Sequence, residues 1–189
     1  MSFMDALFGR QKPVKPSEEK IFAITTAVLT MQTSLNLSTT PRAGICFKPV
    51  ISGHFEQIKA DLDGLLGIAA KDGQAHATTF EDEFHFKWII IQSDDFELLT
   101  STIHMVSQSL IEQGYGEMLL CSVFRFEDAQ ERPIYWIYNY KRGTFYPFVP
   151  VGPNKRDNAM EFRLGSNMKQ EMPIEAETAM WYAVWGVPV

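Results

Sequence analysis

Four histidines and two cysteines are the side chains best suited to chemistry here, and their spacing decides what chemistry is open to them. His54, His76, His85 and His104 never stand as HxH or HxxxH, nor beside a cysteine pair. Those are the spacings at which imidazole and thiolate converge on zinc, so no metal is expected. The nearest group of ligands, Glu81, Asp82, Glu83 and His85, reads as a solvated acidic loop entering a strand. Cys46 and Cys121 are 75 positions apart in apolar surroundings, ICFKP and LLCSVF. Such surroundings raise a thiol's pKa and make it a poor nucleophile, so free buried thiols in a reducing compartment are expected, without a disulfide. GxSxG, GxGxxG and GxxxxGK[ST] are absent, which removes the hydrolase elbow and the phosphate-cradling loops. No catalytic residue, metal or cofactor is assigned, and the chain is not expected to be an enzyme.

One further cluster mixes charge with aromatic rings. Lys141-Arg142 and Lys155-Arg156 lie close in sequence to Tyr138, Tyr140, Phe145 and Tyr146, a combination that nucleic-acid binders use. On a chain with 17 basic and 23 acidic residues, net charge −6, a basic hairpin tip is the simpler account, and no nucleic-acid partner is expected. The alternative function is a small enzyme or ligand-binding module built on this aromatic and basic region, near 138–146.

These residues must be positioned by a chain of 189 residues, 46% of them apolar, enough for one domain with its own core. Residues 1–16 read as an arm: an apolar patch of Phe3, Met4, Leu7 and Phe8, then GRQKPVKP, whose prolines stop a helix. The arm lacks the charged start and long apolar run of a signal peptide. A single α+β domain follows over 17–189, with Ser17 as a helix N-cap. From Ile21 to Leu37 the pattern fits both a helical stripe and a period-two strand. The threonines favour a short helix at about 17–25 and then a strand. STTPR at 38–42 reads as a turn and AGICFKPVI at 43–51 as a second strand, together a β-hairpin.

Phe55, Ile58, Leu62 and Leu65 make a helical stripe closed by Gly67, and Lys71 to Glu83 reads as a loop. Phe84 to Ile91 is a buried strand. A helix over 95–113 is the firmest element: Asp94 and Glu97 have capping-box spacing, and Phe96, Leu99, Ile103, Val106 and Leu110 form its stripe. MLLCSVFRF, IYWIYNY and FYPFVPV, joined by short turns, predict an antiparallel meander whose last strand, with Pro147 and Pro150, lies at an edge. Asp157 to Met168 is a helix with Met160 and Leu164 inward. AMWYAVWGVPV, at 179–189, is too apolar for a free tail and must cover something; its 11 residues are too few to span a bilayer.

YWIYNYKRGTFYPFVP (135–150), RDNAMEFRL (156–164), MDALFGR (4–10), RAGICFKPV (42–50) and the closing WYAVWGVPV together resemble the phage-shock-protein-A-associated protein B family, and are spread over nearly the whole chain. That family is similar in fold to type III secretion chaperones, an antiparallel sheet flanked by helices. It is linked to the membrane-stress protein A and to a membrane zinc metalloprotease. The resemblance implies a cytoplasmic adaptor or regulator that binds a protein partner, such as a coiled-coil protein A, with no catalytic residues to carry over. Partner contacts are assigned to Phe3, Leu7 and Phe8 of the arm, Trp136 and Tyr146 of the edge hairpin, and Trp185. A homodimer through that edge is the competing use of the same strand.

Overall fold

A computed structural model describes residues 19–48 and 75–189. The arm, Ser17 and the expected helix around 55–67 lie outside the described residues. Among the described residues, three α-helices accompany a six-stranded antiparallel sheet and a small two-stranded one. The helices are α1 (Ala23–Leu35), α2 (Phe96–Glu112) and α3 (Asn158–Met168). The strands are β1 (Ser38–Phe47), β2 (His76–Glu81), β3 (Lys87–Gln92), β4 (Leu119–Glu127), β5 (Pro133–Asn139), β6 (Thr144–Phe148), β7 (Pro150–Gly152) and β8 (Lys155–Arg156). The large sheet runs β2-β3-β1-β4-β5-β6, and β7 pairs with β8. The α+β class read from the sequence is the one observed.

Three local expectations are corrected. The expected strand after residue 25 is instead α1, entered by a 3-10 turn at Glu19–Phe22. Its threonines do not break the helix because their hydroxyls bond back to it: Thr25 to the carbonyl of Phe22, Thr26 to that of Ala23 and Thr33 to that of Leu29. Asn36, in the left-handed region at φ 52°, and Leu37 then both donate to the carbonyl of Met31, ending the helix. The expected hairpin turn at 38–42 does not form, because STTPR is the first half of β1. Thr40, Pro41 and Arg42 face the single Arg125 in a bulge, which relieves Pro41 of the ladder donor it lacks. The chain over 76–81, expected as loop, is edge strand β2 paired with β3.

Smaller shifts have similar causes. β3 starts at Lys87 rather than Phe84, because Asp82 organises the preceding turn, accepting from the backbone N–H of Phe84 and Phe86 and from the Trp88 indole. The cap of α2 is Asp95 rather than Asp94; its carboxylate accepts from the N–H of Glu97 at 2.8 Å and of Leu98 at 3.0 Å. The β4–β5–β6 meander and the helix after Asp157 form as expected, with β6 at the sheet edge.

Both faces of the sheet are covered. On one, the stripes of α1 (Ile24, Ala27, Met31), α2 (Leu99, Ile103, Val106, Leu110) and α3 (Leu164, Met168) pack against inward residues of the sheet such as Ile45, Phe124 and Trp136. On the other, Cys46, Trp88, Cys121, Val123, Ile137, Tyr146 and Phe148 are buried beneath Trp181, Val184 and Val189. The apolar C-terminal segment therefore packs on the body of the molecule.

Candidate functional site

The three expected partner contacts that fall among the described residues do not share one face of the sheet. Phe3, Leu7 and Phe8 lie outside the described residues. Trp136 is 0% exposed on the helix-covered face, whereas Tyr146 is buried on the opposite one. Trp185 is half-buried, its ring 5.1 Å from that of Phe148. The two hairpin aromatics are core residues, so they present no surface for a helix to lie on. The reason is the second cover: once the C-terminal segment lies on the sheet, both sides of each meander strand must be apolar. The same holds near 138–146, where Tyr138, Tyr140, Phe145 and Tyr146 are all buried.

The charged residues of that region hold the C-terminal segment in place. Arg142 pairs with Glu175 through Nε and, at 3.0 Å, through Nη2, and Thr144 donates to the same carboxylate at 2.9 Å. Burial pushes the Glu175 carboxyl up, but the bonds from Arg142, the Glu177 N–H and Thr144 outweigh it, and the group sits below its usual range. Glu161, 1% exposed, accepts from Arg156 at 2.8 Å and from the Val149 N–H at 2.8 Å. Here burial dominates and the carboxyl is pushed up. Arg156 also donates to the Trp181 carbonyl at 2.7 Å, and the Trp181 indole to the Glu175 carbonyl at 3.0 Å. Ile174 bridges to Phe145, covering part of the β6 edge. The acidic group at 81–85 is likewise structural, with Glu81 paired to His85 and Lys87. No cluster of three or more metal-ligating side chains occurs among the described residues.

The surface that sequence reasoning passed over is the outer side of α1. Phe22, at the entry to the helix, and Thr26, Leu29 and Thr33 along it are all exposed, Leu29 at 68% and Phe22 at 37%. Their 4-3-4 spacing is that of a coiled-coil seam. The hydroxyls of Thr26 and Thr33 are already satisfied by the helix, so the face asks little of water. The signal was available: no Asp, Glu, Lys or Arg occurs between Lys20 and Arg42, where a solvated helix ordinarily carries several charges. Phe22 also packs edge-on to His104 of α2, centroids 4.8 Å apart, which fixes this face to the body. No helix among the described residues is long and apolar enough to cross a membrane.

No curated protein and no solved structure matches the chain. The family model described as PspA associated protein B matches residues 1–189, the whole chain, and the protein belongs to that family.

Proposed function

We propose that this protein is a non-enzymatic adaptor that binds PspA, and that the uncharged outer face of α1 is the docking surface. The family's description as PspA-associated carries the reading. The face of α1 supports it: an exposed seam of Phe22, Thr26, Leu29 and Thr33 at coiled-coil spacing suits the helical, coiled-coil partner that the resemblance implies. A role in the membrane-stress response, a cytoplasmic location and a chaperone-like use of the fold belong to the same proposal. Self-association is the competing use of an apolar face.

The test is calorimetric titration of purified PspA into the full chain, beside Leu29→Glu. Leu29 is exposed, so the substitution should shift stability by no more than about 0.5 kcal/mol. Wild type should give saturable heat, and the variant at least tenfold weaker binding, about 1.4 kcal/mol. Undiminished binding would remove α1 from the interface, and absence of heat from wild type would remove the adaptor reading. Sedimentation of the chain alone reads out self-association.

A further inference from the structure

The two cysteines stand directly opposite each other. Cys46 on β1 and Cys121 on β4 are register partners in the centre of the sheet, and their side chains emerge on the same face, beneath the C-terminal segment. The sequence separation of 75 positions gives no hint of this, because the register depends on the bulge at Thr40–Arg42 and on a second irregularity between Cys46 and Phe47. Both are free and buried, 2% and 5% exposed. Directly opposed residues of an antiparallel pair have Cα atoms about 4.5 or 5.5 Å apart, according to their place in the ladder. Both values fall inside the window of about 4.4–6.8 Å that a disulfide spans. No third ligating side chain joins the pair among the described residues, so the chemistry on offer is between the two sulfurs.

We propose that Cys46 and Cys121 are an oxidisable dithiol, reduced at rest and closed to a cross-strand disulfide by hydrogen peroxide. One thiol, as thiolate, attacks a peroxide oxygen. The O–O bond breaks, giving a sulfenic acid and, with the thiol's proton, one water. The second sulfur attacks the sulfenic sulfur, so that the S–S bond forms as the S–O bond breaks, and the second thiol's proton completes another water. The two sulfurs lose two electrons, which reduce the peroxide to two waters.

The surroundings set the pace and protect the product. Burial, and then contact with Cys121, push the Cys46 thiol well above its ordinary range, so attack is slow. Access requires local opening of the covering segment of Trp181, Val184 and Val189, which only a small uncharged oxidant can exploit. A bond between β1 and β4 closes the chain over β2, β3 and α2, and would raise resistance to unfolding.

The experiment treats the full chain with graded hydrogen peroxide, follows folding by near-ultraviolet circular dichroism, and analyses samples quenched by thiol alkylation. The expected product is a monomer lighter by two hydrogens with both thiols lost together. Proteolysis should give a Cys46–Cys121 linked peptide, dithiothreitol should reverse the change, and the unfolding midpoint in urea should rise. Cys46→Ala and Cys121→Ala should each abolish the linked product and leave the partner thiol alkylatable at the same peroxide dose. Thiols that persist until the dichroism is lost, a disulfide-linked dimer, or independent oxidation of either cysteine to sulfinic acid would each overturn the proposal. Should an alanine variant fail to fold, the linked peptide from wild type still decides the matter.

Discussion

Replacing Gly165 by Ala should destabilise the wild-type protein yet stabilise a variant that lacks the Trp181 ring. A Cβ at position 165 would stand 2.5 Å from Trp181 Cη2 and 3.2 Å from Cζ2, closer than van der Waals contact permits. The ring has little freedom to yield: its indole N–H is bonded to the Glu175 carbonyl, its own carbonyl is held by Arg156, and Phe162 lies 5.8 Å away. Overpacking of this kind costs about 1–3 kcal/mol. Against it stands the gain from replacing glycine inside α3, about 1 kcal/mol. The net effect in wild type is therefore a loss of about 0–2 kcal/mol. Trp181→Ala alone should cost about 3–5 kcal/mol, through lost burial and an unpaired Glu175 carbonyl. In that background no ring remains to strike, and Gly165→Ala should gain about 1 kcal/mol. Urea unfolding of the four proteins at a common slope measures the cycle. A Gly165→Ala effect equal in both backgrounds to within about 0.5 kcal/mol would refute the docking of Trp181 on α3.

Other outcomes follow from the same structure. Leu99→Ala or Ile103→Ala, each at 0% exposure between α2 and the sheet, should cost about 2–5 kcal/mol; an unmoved urea midpoint would place that stripe in solvent. Deleting residues 179–189 uncovers Trp88, Tyr146 and Phe148 and should cause aggregation, measured by light scattering. Because the Glu175 carboxyl is depressed in the folded protein, its contribution is complete above the unfolded carboxylate range and is lost as pH falls through the folded value. Arg142→Met should shrink that acid-side loss, seen as a flatter dependence of the urea midpoint on pH.

What the sequence revealed depended on how local the deciding physics was. α2 and the β4–β6 meander were legible because stripe, caps and turns lie within a few residues of one another. α1 was not: its threonines score against a helix until their hydroxyls are seen to bond to it. Pro41 likewise reads as a turn until the bulge opposite Arg125 accommodates it within a strand. β2, with only Ala77 and Thr79 partly covered, lacks the apolar alternation that marks a buried strand. The aromatic residues of 135–150 read as surface anchors because the cover of each face is distant in sequence: α1 and α2 lie over Trp136, and the segment from Trp181 lies over Tyr146 and Phe148. The real candidate surface carried a quieter signal, the absence of charge from Ile21 to Pro41.

Hydrogen exchange of the full chain with and without purified PspA tests the central claim most directly. Amides of residues 22–35 should gain protection on binding, while those of β5 and β6, already buried, should not change. Protection confined to other segments, or a pattern identical with and without PspA at saturating concentration, would contradict the account.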